Sequence, residues 1–189
     1  ALMRAEALLQ VDGYSDDLIA GEEPDLCLRM GLKGWKVRCI DEEMTLHDAD
    51  IHTARQNWRR VKRGGHAFAE HVDRHGEKAF PMWRRARDSF AFWGGVLPAI
   101  ILLLALVAFI AGSPMLALLP LALALVYPAQ MMRLALWKWR QGATPRFALL
   151  WGLWIQLGKF AQFGGLLNYY RQRRRGGPVR LIEYKGAAS

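Results

Sequence analysis

Between Phe90 and Met132 the sequence has no Asp, Glu, Lys, Arg or His, although Asp, Glu, Lys and Arg make up 23% of the chain. That absence excludes a solvated surface helix there. The run from Phe90 to Ala111 is almost continuously apolar. As a helix it is ~33 Å long, enough to cross a ~30 Å hydrocarbon core. Gly112, Ser113 and Pro114 break it, and a second apolar run follows from Met115 to Met132. The core helix of a soluble protein seldom runs ~18 residues without a charge, so the pair reads as a transmembrane hairpin.

Cysteine is nearly absent too. Cys27 and Cys39 are too few and too far apart for a disulfide framework or a zinc knuckle, and they fit a reduced compartment, packed as small apolar residues. There is no basic, apolar and small-residue leader, no internal repeat and no low-complexity linker. The chain opens with a helix already under way at Ala1, which raises the expectation of a fragment lacking its amino-terminal part.

Base is in excess: 26 Lys and Arg stand against 17 Asp and Glu, a formal charge of +9. Such a balance suits nucleic acid. Here the cations sit beside apolar segments, so membrane lipids with anionic headgroups are the expected partner, and no nucleic acid. Arg84, Arg85 and Arg87 precede the hairpin and Arg133, Lys138, Arg140 and Arg146 follow it, while the turn at Gly112–Pro114 is uncharged. Cations stay inside, which predicts both termini in the cytoplasm and a place in the cell inner membrane. Trp83, Trp93, Trp137 and Trp139 fall where an aromatic belt would lie, and Pro120 and Pro128 predict a kink in the second span.

Leu2 to Val11 reads as a short helix ended by Asp12-Gly13. Gly21-Glu22-Glu23-Pro24-Asp25 opens another, since proline suits a first turn and carboxylates suit the positive end of the dipole; Gly34 stops it. Trp35, Val37 and Cys39 alternate with Lys36 and Arg38, a strand signature. The first forty residues thus predict a piece of an α/β domain. Trp58, Val61, Gly65, Phe68 and Val72 then form the seam of an amphipathic helix with Arg55, Arg59, Arg60, Lys62 and Arg63 on its other faces, and Gly64-Gly65 marks a kink or a close approach. Phe147 to Tyr170 is apolar but interrupted by Gln156, Lys159, Gln162 and Asn168. A third span there would carry Arg171 to Arg175 outside, so an interfacial helix is expected.

The string Gly21-Glu22-Glu23-Pro24-Asp25-Leu26-Cys27-Leu28-Arg29 resembles the acidic motif of family 2 glycosyltransferases, the group of the cellulose and hyaluronan synthases. The similarity continues through Gly34-Trp35-Lys36-Val37, Thr45-Leu46-His47-Asp48, Trp58-Arg59-Arg60, Gly158-Lys159-Phe160 and Ile182-Glu183-Tyr184-Lys185. It implies inverting transfer from a nucleotide-sugar donor to a glycan or lipid-linked acceptor, as in polysaccharide biosynthesis. It also implies an architecture: the carboxy-terminal part of a GT-A catalytic domain (1–53), basic amphipathic interface helices (54–89), a transmembrane hairpin (90–132), and a cytoplasmic interfacial helix with a basic tail (133–189).

On the same resemblance Glu23 stands at the catalytic base, where the family usually has Asp, and Glu22 orients the acceptor or supports the base. The plainer reading is that Glu22, Glu23 and Asp25 only charge a helix amino terminus. Asp25, Gln56, Trp58, Arg59 and Arg60 are candidate substrate-binding residues; Gln56 and Arg59 fit the family's QxxRW pattern, but Arg60 stands where its Trp would be. Guanidinium groups suit a pyrophosphate leaving group, and a helix lying along anionic lipid is the alternative for the arginines. His47 resembles a ligand of the divalent ion, Mn²⁺ or Mg²⁺, that holds the donor diphosphate; a capping hydrogen bond is the plainer role. Asp48-Ala49-Asp50 is a literal DxD, but it follows the acidic turn instead of preceding it, so the ion's main ligands, and with them activity, are expected from residues outside this chain. His71 and His75, at i and i+4 without a metalloprotease glutamate, are expected to be solvated. A membrane-anchored scaffold that binds lipid or a partner through its basic helices is the non-enzymatic alternative.

Overall fold

The computed structural model describes residues 2–18, 20–42 and 50–176. Its helices are α1 (Ala5–Leu9), α2 (Glu22–Leu32), α3 (Ala54–His75), α4 (Pro81–Ala91), α5 (Leu97–Ile110), α6 (Pro114–Ala124), α7 (Val126–Arg140) and α8 (Pro145–Arg175). No strand occurs among the described residues, which overturns the expected α/β fragment. The alternation at Trp35–Cys39 fails for a physical reason: a strand needs a neighbour for its backbone N–H and C=O groups, and the described residues offer none. Trp35 instead turns back onto the α1–α2 pair and donates its indole N–H to Gln10 Oε1 at 2.9 Å, while Val37 and Cys39 face solvent.

Local chemistry sets the helix ends. Asp12 and Gly13 take positive φ after α1, and Gly21 and Gly34 do so on either side of α2. Thr53 starts α3 with a capping box: its Oγ1 accepts from the Gln56 N–H at 3.1 Å, and Gln56 Oε1 accepts from the Thr53 N–H at 3.0 Å. Helix α3 then runs unbroken through Gly64-Gly65. Gly65 is a close approach, not a kink: a Cβ there would lie 2.1 Å from the Gln162 carbonyl oxygen of α8.

Pro81–Ile110 and Pro114–Arg140 are long and apolar enough to cross a membrane. Only 17% and 6% of their most apolar windows are buried by the rest of the chain, unlike the core helices of a soluble domain. The first contains a π-helical turn at Phe92–Val96, directly before Pro98. Proline lacks the N–H for its turn and clashes with the carbonyl four residues back, here Gly94, and the widened turn relieves both. The Trp93 carbonyl, five residues before Pro98, accepts instead from the Tyr127 hydroxyl at 2.8 Å. The second helix breaks at Leu125, between α6 and α7, where Pro128 leaves the Ala124 carbonyl without its partner.

Helix α8 is not among the helices apolar enough to span. It packs along α3, α4, the π turn and α7, with Trp137 stacked on Trp151 at one end and Ala69, Leu166 and Tyr169 buried together at the other. Leu28, Val72, Ala79 and Trp83 join α2 to α3 and to the start of the first membrane-length helix. The acidic turn is thereby tied mechanically to the apolar helices.

Candidate functional site

Helix α2 begins at Glu22, so Glu22, Glu23 and Asp25 all lie in its first turn, where unpaired N–H groups favour carboxylates. Their fates differ. Glu22 and Glu23 are exposed; Asp25 is completely buried. Asp25 Oδ2 accepts from Arg29 Nε at 2.7 Å and from Ser15 Oγ at 3.0 Å, and Oδ1 lies 2.7 Å from His75 Nε2. Arg29 also donates to the carbonyls of Val11 and of Gly13, the latter at 2.8 Å. Burial alone would raise the Asp25 pKa, but the hydrogen bonds from Arg29, His75 and Ser15 outweigh it and hold the carboxyl below its ordinary value. A single carboxylate thus ties together the α1–α2 loop, the head of α2 and the end of α3.

His71 and His75 are not solvated. His71 is 3% exposed and His75 half-buried, and the His71 ring stacks on Trp83 with centroids 4.6 Å apart. The reason is tertiary: both sit on the turn of α3 that faces the acidic loop, and Gly21 leaves room, since a Cβ there would fall 2.1 Å from His71 Nε2. Burial pushes the His71 pKa down to about 4, so the ring is neutral at pH 7. One turn earlier His66, fully buried and held edge-on to Tyr169, is pushed to about 4 for the same reason.

Two charged side chains of that half of α3 are paired across to other elements. Arg74 grips both oxygens of Asp17 at 2.8 and 3.2 Å. The Tyr169 hydroxyl donates to Asp73 Oδ2 at 2.6 Å, and Arg173 donates to its other oxygen. Through these bonds α3 joins the loop before α2 to the end of α8.

The other candidates lie apart. Trp58, Arg59 and Arg60 are exposed near the start of α3, and Gln56 is engaged in the capping box. Arg59 stands twelve positions before His71 on one straight helix, about 18 Å along its axis. The structure therefore does not bring this group beside Glu22 and Glu23; His71 and His75 stand there. His47 and the Asp48-Ala49 portion of the DxD pattern lie outside the described residues. What the sequence reading missed is the Asp25–His75 bond, whose only advance signal was the i, i+4 pair itself.

The divalent ion implied by the resemblance can be tested against one donor set among the described residues: Asp25, His71 and His75, whose ligand atoms lie within 4.8 Å of one another. It does not fit an ion that grips a donor diphosphate. Two of its three members are buried, leaving only the partly exposed His75 side, too little for a diphosphate to reach, and Mg²⁺ prefers an all-oxygen shell.

Neither curated proteins nor solved structures give a match to this chain. A family model described as glycosyl transferase family group 2 matches residues 1–132, from α1 into the first half of α7, with the acidic turn inside it. On a match over that much of its length, the chain belongs to family 2 of the glycosyltransferases.

Proposed function

We propose that this chain forms the acceptor side of an inner-membrane enzyme that moves a sugar, with inversion, from a nucleotide-sugar to a glycan or lipid-linked acceptor. Glu23 is the general base: it takes the proton of the acceptor hydroxyl as that oxygen bonds to the anomeric carbon, while the bond to the nucleotide diphosphate breaks and the diphosphate leaves. Glu22 orients the acceptor. The observation that carries this reading is the contrast within one helical turn. Asp25 is buried and locks the turn to α3, which leaves Glu22 and Glu23 exposed on a fixed platform. Catalysis needs a positioned carboxylate that substrate can reach. Helix α3 carries the same platform to Trp83 and the apolar helices, so an acceptor presented at the membrane surface would meet it.

With no Asp-x-Asp ahead of the acidic turn, donor binding is assigned to residues beyond those described, His47 being this chain's candidate ligand for Mn²⁺ or Mg²⁺. The test is Glu23→Gln in the membrane enzyme, with transfer measured per folded molecule. Turnover should fall ~10²- to 10⁴-fold with donor affinity unchanged. Glu23→Asp should keep partial activity. Undiminished turnover in Glu23→Gln removes the assignment.

A further inference from the structure

Buried imidazoles with empty nitrogens are uncommon, because a polar atom taken out of water without a partner loses its hydrogen bonds and regains none. His71 is close to such a group: at 3% exposure its ring nitrogens meet no side-chain partner, and the Gly21 backbone lies beside Nε2. Its neighbours are ligands by type. Asp25, His71 and His75 offer one carboxylate oxygen and two ring nitrogens, all within 4.8 Å of one another. Around a tetrahedral ion at ~2.0–2.1 Å, donors stand ~3.4 Å apart. The 2.7 Å between Asp25 Oδ1 and His75 Nε2 and the limit of 4.8 Å for the set bracket that value, so shifts of about 1 Å would bring all three onto one ion, with a water oxygen as the fourth ligand.

We propose that Asp25, His71 and His75 bind a structural zinc-class ion that staples the head of α2 to the end of α3.

The surroundings are those of a metal ligand set. Asp25 Oδ2 is held by Arg29 and Ser15, which orients the carboxylate and turns Oδ1 toward the two imidazoles. The ion replaces the proton between Oδ1 and His75 Nε2, and that proton moves to Nδ1. Trp83 covers one face of His71, and the Gly21 backbone lies against its Nε2, where a Cβ would not fit. Of the nearby cations, Arg74 is neutralised by Asp17 and Arg29 by Asp25 itself. A His₂Asp set selects a borderline ion such as Zn²⁺ over Mg²⁺. This site is separate from the one that would hold a donor diphosphate, and its occupancy does not depend on Glu23 or on transfer.

The experiment uses the whole protein in nanodiscs, stripped with chelator and titrated with Zn²⁺. One ion per chain is expected, at micromolar affinity or tighter, with no comparable binding of Mg²⁺ and a rise in melting temperature. Cys27→Ser with Cys39→Ser should keep the ion, and His71→Asn should weaken it at least 100-fold while helix content stays at the wild-type level. X-ray absorption at the zinc edge of the unaltered protein reads the shell without any variant: two imidazoles with oxygen are expected. The proposal is overturned by the absence of stoichiometric zinc, by a sulfur-dominated shell, or by full affinity in folded His71→Asn.

Discussion

Two adjacent glycines of α8 should respond to the same substitution with opposite signs. A Cβ on Gly165 would lie 1.9 Å from the Lys62 carbonyl oxygen and 2.8 Å from the His66 nitrogen, both backbone atoms of α3. A Cβ on Gly164 would meet only the Lys62 Cε, at 3.8 Å. Ordinary contact is ~3.5 Å, so Gly165→Ala must push the helices apart by about 1.5 Å. No rotamer relieves this, since the obstacle is a helix backbone. Separation also opens the seam that buries Ala69, Leu166 and Tyr169. Overpacking of this kind costs about 1–3 kcal/mol, and removing a mid-helix glycine returns up to ~1 kcal/mol of helix propensity. Gly165→Ala should therefore destabilise by about 1–2 kcal/mol, and Gly164→Ala should stabilise by up to ~1 kcal/mol. Thermal unfolding in detergent, followed by circular dichroism, should move the two melting temperatures in opposite directions. Equal shifts would show that α3 and α8 do not cross at Gly165.

Acidification should loosen the same seam. His66 has its pKa lowered from 6.5 to about 4 by burial, so the folded state favours the neutral ring. That contribution is complete above pH 6.5 and is lost as pH falls toward 4; between pH 7 and 5 the loss is about 2 kcal/mol. Denaturant midpoints at the two pH values should show it, and His66→Gln should remove about that much of the difference while the share of His71 remains; an unchanged slope in that variant would place the titration elsewhere. Topology is open to direct test: with Cys27 and Cys39 replaced, Ser113→Cys should react with an impermeant maleimide in intact cells and Ser189→Cys should not. Labelling of Ser189→Cys from outside would refute cytoplasmic termini.

Patterns repeated along the chain were legible without coordinates. The charge-free run, the Gly112–Pro114 break, the seam of α3 and the proline and carboxylates at the head of α2 all act through neighbours within about four positions, where the sequence itself holds both partners. Pro128 located the break in the second span for the same reason, since it removes one N–H and obstructs one carbonyl four residues back, whereas Pro120 lies inside the unbroken α6 and the π turn before Pro98 was not foreseen. Family membership was legible too, because the acidic turn keeps its residues in order. Tertiary structure decided what depended on remote partners. Trp35–Cys39 has a strand's alternation, yet a strand exists only beside another, and Trp35 found Gln10 instead. Asp25 and Glu23 are chemically near-equivalent and two positions apart; only the arrival of His75, fifty residues on, and of Ser15 and Arg29 buried one and left the other exposed. His71 looked like a surface histidine on an amphipathic helix until Gly21 and Trp83 closed over it. A helix pattern says which side of a residue faces inward, but what waits there is set by chain that arrives from elsewhere.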